Sequence, residues 1–327
     1  MTIVVTGAAG FIGRNAVAAL NQRGVSELLL VDQLGEDDKW KNLRGLVYED
    51  LIQPGDLARW LDGKGRSVDA IVHLGACSAT TERNADFLLE NNYRFTRDLC
   101  TWAIEHKARF VYASSAATYG DGAHGYRDDD GSTLKLQPLN MYGYSKHMFD
   151  LWALRAGLLD RIVGLKFFNV FGPYEEHKGS MRSVVSKAYE EIIATGELSL
   201  FKSYRDGIDD GQQRRDFVYV DDAVAVLMHF LDNREVSGLY NCGTGASRTW
   251  LDLAHAVFAA MERPAKVRFV EMPDLLRAKY QYFTEADTTR LRGAGFDSAF
   301  LDLEIAVERY VRTHLSDDHD ALAGADR

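Results

Sequence analysis

The 327-residue chain has the composition of an ordinary globular protein, with 46% apolar and 26% charged residues, and its length allows one to three domains. Its 38 basic and 48 acidic side chains give a net charge of −10, which argues against nucleic acid or an anionic membrane as the main partner. Three widely spaced cysteines, Cys77, Cys100 and Cys242, form neither a disulfide framework nor a metal-binding pattern. We therefore expect no metal site and a reducing compartment.

The chain begins directly with the strand-like stretch MTIVVTG, without the basic and apolar regions of a signal peptide. No stretch approaches eighteen uninterrupted apolar residues, the length that indicates a membrane-spanning helix. We therefore expect a soluble, cytoplasmic protein.

Short apolar runs alternate with helical patterns through the first half of the chain. The predicted strands are TIVVTG, ELLLVDQ, AIVHLGA, RFVYASS and RIVGLKFFNV. Helices are predicted over about 10–23, over about 87–106 and from about Tyr142. Strands of continuous Val, Ile and Leu separated by helices indicate a parallel sheet that is covered on both faces. This alternation is typical of the α/β class and of a Rossmann-type doubly wound sheet.

The pattern becomes irregular after Phe171. A predicted helix over about 182–195 is followed by the Gly- and charge-rich stretch SYRDGIDDGQQRRD and by the strand-like FVYVDD. The last eighty residues mix helices with short strands such as KVRFVEM. We predict a Rossmann domain made of 1–168 with about 214–245, and a smaller, interleaved substrate-binding domain made of about 169–213 and 246–327.

The stretch GAAGFIG places Gly7, Gly10 and Gly13 directly after the first strand and at the start of a helix. Glycine at these positions allows a tight turn, close approach of a pyrophosphate and close packing of helix on strand. The helix N-terminus also offers unpaired N–H groups and the positive end of its dipole to phosphates. A purely structural turn is the alternative, but the position within the β-α alternation favours a dinucleotide site.

Asp32 ends the second strand, nineteen residues after Gly13, where an acidic side chain can accept hydrogen bonds from the adenosine ribose. Such an acid favours NAD over NADP, because it repels the 2′-phosphate. Lys39 and Lys41 follow closely and can neutralise that phosphate, so both cofactors stay open on this evidence. Further cofactor contacts are predicted at the start of the first helix, at the ends of the second, third and fourth strands, and on a later helix: Phe11, Ile12, Gln33, Asp50, Leu51, Leu74, Gly75, Ala76, Ser78 and Asn92.

The stretch NMYGYSK places Tyr142 and Lys146 four residues apart, on one face of a helix. A lysine close to a tyrosine lowers the pKa of the phenol by favouring the phenolate, so that the tyrosine can act as a base near neutral pH. The preceding strand ends in ASSAATYG, which puts Ser114 and Ser115 at the edge where open α/β sheets bind ligands. The spacing alone is a weak signal, and the strand-end serines strengthen it.

The motifs GxxGxxG, SSAATYG, YxxxK and FFNVFGP occur in this order over nearly the whole chain. Together they resemble the extended short-chain dehydrogenase/reductases that modify nucleotide sugars. The resemblance implies that Tyr142 is a catalytic acid/base, that Lys146 orients the nicotinamide ribose and that Ser115 hydrogen-bonds the reacting hydroxyl. It also implies that Asn169 contacts the sugar or phosphate of the substrate.

Short stretches of sequence indicate which reaction within this family the chain is expected to catalyse. Its dehydratases typically carry an Asp-Glu pair where this chain has Ala116 and Ala117, so dehydration is not expected. The stretches HLGACSATTE, NNYRFTRDL, FFNVFGPYEEHKGSM, RRDFVYVDD and YQYFTEAD are similar to the members that invert C6 of an ADP-heptose destined for lipopolysaccharide core. The resemblance therefore implies an NADP-dependent isomerase, with NAD as the alternative cofactor. It would invert ADP-D-glycero-D-manno-heptose through a 6-ketone that is reduced again on the other face.

Inversion of a carbinol through a ketone requires a proton donor and acceptor at the oxygen in two orientations of the intermediate. One tyrosine does not reach both at hydrogen-bond distance. The resemblance assigns the second role to the lysine of HKGSM, Lys178, which is also predicted beside the cofactor; a solvated loop lysine is the alternative. Two other functions stay open: a UDP-hexose 4-epimerase, in which one tyrosine is held sufficient, and a non-catalytic NADP-binding protein.

The predicted substrate contacts beyond Ser115 and Asn169 lie in the second half of the chain: Ser180, Lys187, Phe201, Arg215 and Tyr280. A guanidinium matches a diphosphate in bidentate geometry, although Arg215 can instead pair with Asp216 or Asp222 on the surface. Tyr280 can be a core residue, and Lys187 stands where family members can carry a substrate-facing histidine. The resemblance also implies a homo-oligomer, for which a pentamer is the candidate state.

Overall fold

The computed structural model describes residues 2–64, 68–277 and 280–316; the end of the predicted substrate domain, 317–327, lies outside this part. The strands are β1 (Thr2–Thr6), β2 (Leu28–Val31), β3 (Asp50–Ile52), β4 (Val68–His73), β5 (Arg109–Ser115), β6 (Val163–Phe167), β7 (Asn169–Phe171), β8 (Leu198–Phe201), β9 (Arg214–Arg215), β10 (Phe217–Tyr219), β11 (Gly238–Cys242), β12 (Arg248–Thr249) and β13 (Val267–Val270). The helices are α1 (Phe11–Gln22), α2 (Leu57–Lys64), α3 (Ala85–Leu88), α4 (Phe95–Glu105), α5 (Asp130–Thr133), α6 (Met141–Arg155), α7 (Val184–Thr195), α8 (Val220–Asp232), α9 (Trp250–Ala260), α10 (Asp274–Arg277), α11 (Thr289–Gly293) and α12 (Leu303–Tyr310).

Seven strands form one parallel sheet in the order β11-β6-β5-β4-β1-β2-β3. The chain runs outward from β1 to β3 on one side and from β4 to β11 on the other. The order therefore reverses between β1 and β4. The predicted α/β class and Rossmann-type doubly wound sheet are confirmed.

Successive residues of β1 point to opposite faces of the sheet, as the pleat requires. Val5 belongs to the core beneath α1 and α8, whereas Val4 belongs to the core beneath α2, α4 and α6. Because both faces are covered by helices, the central strands are apolar throughout, which is why they appear in the sequence as continuous Val, Ile and Leu.

A third hydrophobic core lies among α7, α9, α12 and β8 and includes Val185, Ile192, Leu253, Val257 and Tyr310. Three short strand pairs, β7-β10, β9-β12 and β8-β13, accompany it. Within the described residues, no helix combines the length and the apolar character needed to cross a bilayer.

Two predicted elements are interrupted in the structure. The helix predicted over about 87–106 consists of α3, a π-helical segment (Leu89–Arg94) and α4. The strand predicted as RIVGLKFFNV is divided at Phe168, because β6 pairs within the main sheet whereas β7 pairs with β10. The predicted strand FVYVDD ends at Tyr219, where α8 begins with two aspartates in its first turn.

Candidate active site

The carboxyl ends of β1 and β4 form a crevice at the point where the strand order reverses, the position at which open α/β sheets bind ligands. Two hydrogen bonds hold these strand ends together. Leu74 N–H donates to the carbonyl oxygen of Thr6 at 3.1 Å, and Gly75 N–H donates to Thr6 Oγ1 at 3.0 Å.

Gly7 and Gly13 are required by close backbone contacts at this crevice. Gly7 has φ +69°, and a Cβ atom there would lie 2.6 Å from the nitrogen of Gly75. A Cβ atom on Gly13 would lie 2.0 Å from the carbonyl oxygen of Gly7. Among the described residues no side chain caps the N-terminus of α1, so its N–H groups and positive dipole end are available to an anion.

A cavity of about 630 Å³ lies along this edge of the sheet. The structure brings most of the predicted cofactor and catalytic residues together in its wall: Gly7, Gly10, Phe11, Ile12, Gly13, Asp32, Gln33, Lys39, Leu74, Gly75, Ala76, Ser78, Ser115, Tyr142, Lys146 and Lys178.

Asp50, Leu51 and Asn92 do not line this cavity. Asp50 is exposed, and its carboxylate accepts the N–H of Leu51 at 2.8 Å. Asn92 is buried, and its side-chain amide accepts the N–H of Cys77 and donates to the carbonyl oxygen of Cys77, both at 2.9 Å. Asn92 therefore acts on the cavity through the loop that carries Cys77.

Ser115, Tyr142 and Lys146 meet where β5 ends and α6 begins. Tyr142 is hydrogen-bonded to the side chain of Ser115, which opposes the effect of burial, yet burial dominates and raises the pKa of Tyr142. Burial lowers the pKa of Lys146 to about 8, and the charge of Asp150 opposes this shift. The predicted lowering of the pKa of Tyr142 by Lys146 is therefore wrong in its net direction, because desolvation of the phenolate is the larger effect.

A buried ion pair lies one helical turn beyond Lys146. The Lys166 Nζ atom is 2.8 Å from Asp150 Oδ2, and both side chains are fully buried. Ser114 and Tyr112 donate their hydroxyl protons to the same carboxylate at 2.7 and 2.9 Å. This network joins β5, β6 and α6 beside the cavity, and its member Ser114 lines the cavity wall.

Lys178 lies on a short 3₁₀-helical segment (Glu176–Met181) that contains Gly179 at φ +53°. Its side chain is only 23% exposed, and Nζ lies 3.6 Å from Glu175 Oε2 and 5.0 Å from the centre of the Phe11 ring. The structure therefore does not support the alternative of a solvated loop lysine.

A second cavity of about 250 Å³ adjoins the first, and the two share Phe168, Val170, Lys178 and Met181 as wall residues. Asn169 lines the second cavity. Lys178 therefore stands at the junction of the two cavities.

Arg215 is buried, and in the described part of the chain its guanidinium pairs with no carboxylate. It lies 5.6 Å from the Trp250 ring and 5.2 Å from the Tyr280 ring, and it donates to two backbone carbonyl oxygens. Asp216 and Asp222 accept hydrogen bonds from other groups. The alternative of a surface ion pair with either aspartate is therefore not observed.

Arg215 and the other predicted substrate contacts, Ser180, Lys187, Phe201 and Tyr280, line neither of the two cavities. Ser180 is exposed, and its carbonyl oxygen accepts a hydrogen bond from Lys187 Nζ at 3.4 Å. Phe201 is half-buried at the end of β8. Tyr280 accepts the indole N–H of Trp250 at 2.9 Å through its hydroxyl oxygen.

Several wall residues were not identified from the sequence. Val170 and Met181 line both cavities, and Trp250 lines the second. Val170 lies in the short strand β7, and Trp250 directly follows the short strand β12. Residues at the ends of strands often line the edge of a sheet. Those strands were too short to be predicted as separate elements.

The sheet order, the glycine-lined crevice and the Ser-Tyr-Lys group define a Rossmann-type protein with a candidate dinucleotide site beside a candidate acid/base group. The sequence profile of the NAD dependent epimerase/dehydratase family matches residues 3–243. The chain belongs to this family.

Curated relatives extend the similarity over nearly the full chain. The chain is 52% identical over 322 residues to the ADP-L-glycero-D-manno-heptose-6-epimerase of Nitratidesulfovibrio vulgaris strain DP4, covering 96% of this chain and 98% of the relative. It is 44% identical over 331 residues to the enzyme of that name from Fusobacterium nucleatum, covering 98% and 100%.

Solved structures share the fold. The crystal structure of ADP-L-glycero-D-manno-heptose-6-epimerase from Helicobacter pylori matches with a TM-score of 0.79 at 26% identity, over 95% of this chain and 94% of that one. A UDP-N-acetylglucosamine 4-epimerase from Methanobrevibacter ruminantium matches with a TM-score of 0.80 at 22% identity, over 97% and 98% of the two chains, and at that identity shows the fold alone.

Proposed function

We propose that the protein is an isomerase that inverts C6 of ADP-D-glycero-D-manno-heptose to give ADP-L-glycero-D-manno-heptose. The observation that carries this proposal is that Lys178 lines the same cavity as Tyr142 and Ser115. The similarity to enzymes of that name over nearly the whole chain supports the same substrate. UDP-hexose 4-epimerization is the second candidate, because such enzymes share the fold at lower identity.

The crevice fits a nicotinamide dinucleotide, and we propose NADP, with NAD as the alternative. Gly7 and Gly13 allow the tight turn before α1, and the N–H groups at the uncapped start of that helix would hold the pyrophosphate. Lys39 and Asp32 would hold the adenosine ribose and its 2′-phosphate. The bound nicotinamide would supply the transient oxidation of C6 and its re-reduction.

Two groups handle the proton on the C6 oxygen in this proposal. Tyr142, held by its hydrogen bond to Ser115, serves one orientation of the substrate, and Lys146 on the same helix face orients the nicotinamide ribose. Lys178 serves the other orientation from the junction of the two cavities. An ammonium can donate a proton to a carbonyl oxygen and recover it from the hydroxyl, as general acid/base catalysis requires.

The ADP diphosphate requires cations, and Arg215 is the best candidate because it is buried without a carboxylate partner in the described residues. We propose Asn169, Ser180, Lys187, Phe201 and Tyr280 as further substrate contacts. Of these, Asn169 lines the second cavity. Burial lowers the pKa of Lys187 because it disfavours the ammonium form, and a bound anion would stabilise that form.

We further propose the division into a Rossmann domain of 1–168 with about 214–245 and a substrate domain of about 169–213 and 246–327. The separate core among α7, α9, α12 and β8 supports it. The activity would belong to lipopolysaccharide core synthesis in the cytoplasm, carried out by a homo-oligomer, with a pentamer as the candidate state.

The first test is to incubate the purified protein, without added cofactor, with ADP-D-glycero-D-manno-heptose and to follow the configuration of C6 by NMR. We expect a mixture of the two C6 epimers, because a self-contained redox cycle retains its cofactor. No conversion, even with NADP or NAD supplied, would contradict the proposed substrate. Conversion of UDP-hexoses instead would favour the second candidate.

A further inference from the structure

Glu175 is a fully buried carboxylate at the start of the segment that carries Lys178. It accepts hydrogen bonds from three donors at the ends of two helices. The N–H of Ser183 donates to it at 2.6 Å, the Ser183 hydroxyl donates to its other oxygen, and the Tyr310 hydroxyl donates at 3.2 Å. Ser183 is the N-cap of α7, and Tyr310 is the last residue of α12. The carboxylate is therefore fixed by elements outside its own loop.

The charge of Glu175 has one counterion within ion-pair distance in the described part of the chain. Lys178 Nζ lies 3.6 Å from Oε2, whereas the nearby Arg182 pairs with Glu190. The donors from Ser183 and Tyr310 are neutral and do not require a charged acceptor. Burying a carboxylate without a counterion is costly, and the ammonium of Lys178 reduces this cost for Glu175.

Lys178 is held to Glu175 at both ends. Its backbone N–H donates to the carbonyl oxygen of Glu175 at 3.0 Å, and its ammonium faces the carboxylate of the same residue. A lysine side chain has several rotatable bonds and, without a partner, turns its ammonium to water. This one instead stays at the junction of the two cavities.

We propose that Glu175 is a positioning residue for Lys178: its buried charge, fixed by α7 and α12, holds the ammonium at the junction of the two cavities. The consequence for turnover rests on the proposed function, in which Lys178 is an acid/base. The restraint on the ammonium does not rest on it.

The test measures how freely the ammonium of Lys178 reacts, in the purified full-length protein with its retained cofactor. Pulse acetylation with acetic anhydride at one fixed pH is followed by mass spectrometry of the peptide that contains Lys178.

The variant Glu175→Gln removes the charge and keeps a hydrogen-bond acceptor for Ser183. We expect Lys178 to be acetylated several-fold more in the same pulse, because an ammonium without its partner turns to water. The matched control is Glu176→Gln, which removes an equal charge from the adjacent residue, whose carboxylate is 3.0 Å from His314. It should leave the acetylation of Lys178 unchanged.

Turnover gives the second readout. Glu175→Gln should lower kcat about tenfold to a hundredfold with a smaller change in KM. A catalytic group that is displaced by about 1 Å reduces the rate of the chemical step by such factors. If Glu175→Gln does not fold, Glu175→Asp retains the charge but withdraws it, and the acetylation of Lys178 should rise by less. Unchanged acetylation of Lys178 in the folded variant would overturn the proposal. A wild-type protein that does not convert ADP-heptose would overturn the proposed function and leave the acetylation result intact.

Discussion

The ammonium of Lys39 lies 2.6 Å from the carboxylate of Asp32, at the end of β2. The same carboxylate accepts the N–H of Ala9 at 2.8 Å, within the turn that leads into α1. The acid that would repel a 2′-phosphate is therefore paired with a cation beside the glycine turn. This pair is the feature that would make an aspartate at this position compatible with the proposed NADP.

The variant Lys39→Ala should weaken NADP binding by tenfold or more and change NAD binding much less. The physical reason is that Asp32 would then face the 2′-phosphate without a counterion. Binding is measured by titrating the cofactor-free protein with each dinucleotide. Lys41→Ala is the control, because Lys41 is exposed and pairs with Asp38. An equal loss for both cofactors would refute this assignment.

The variant Lys178→Met should reduce turnover of ADP-heptose by about a hundredfold or more, the usual scale for loss of a general acid/base. Single-turnover kinetics followed by NMR measures the effect. Retention of bound cofactor, seen in the absorbance spectrum, checks that the cavity is intact. Near wild-type turnover of ADP-heptose would show that Tyr142 suffices and would favour a 4-epimerase type of mechanism.

The variant Arg215→Met should raise the KM for ADP-heptose and the inhibition constant for ADP by about tenfold or more. A charge-assisted contact to the diphosphate would be lost. Arg205→Met is the matched control, since Arg205 is exposed and its guanidinium lies 5.7 Å from the Tyr282 ring. If both variants bind ADP as the wild type does, the diphosphate is held elsewhere.

The variant Lys166→Met should lower the free energy of unfolding by about 3–5 kcal/mol, because it leaves the Asp150 carboxylate buried without its cation. Urea denaturation followed by circular dichroism measures the change. Arg23→Met breaks a pair of similar length on the surface, at 2.9 Å with both side chains well exposed. It should lower the free energy of unfolding by no more than about 1 kcal/mol. Equal losses of unfolding free energy in the two variants would mean that the buried pair does not stabilise the fold more than a surface pair does.

We expect the buried His73 to make the stability of the protein depend on pH. Thr96 Oγ1 donates to the carbonyl oxygen of Asn92, so it accepts the Nε2–H of His73, and the Nδ1 atom of His73 accepts the hydroxyl of Thr6. The ring is therefore held neutral, and burial lowers the pKa of His73 to about 3.

Between about pH 3 and 6.5 the unfolded chain binds a proton at His73 that the folded protein does not, so stability falls as the pH is lowered through this window. The variant His73→Gln should reduce the slope of unfolding free energy against pH by about 1.4 kcal/mol per pH unit there. His124→Gln, at an exposed position, is the control. An unchanged slope in His73→Gln would show that other groups cause the loss of stability at acidic pH.

The sheet was predictable because buried parallel strands require apolar runs on both faces, and those runs are visible in β1, β2, β4, β5 and β6. The division between β6 and β7 at Phe168 was not visible. It depends on β10, a strand some fifty residues later that pairs with β7 and not with the main sheet.

The sequence by itself determined the glycine turn, the strand-end serines and the Tyr142–Lys146 pair, because each depends on local geometry: a turn, a strand end and one helical turn. The tertiary structure alone decided the surroundings of these groups. It placed Lys178 beside Glu175, left Arg215 without a carboxylate in the described residues, and made burial outweigh hydrogen bonding at Tyr142. Burial and charge pairing depend on segments far apart in the chain, and no local pattern records which of them meet.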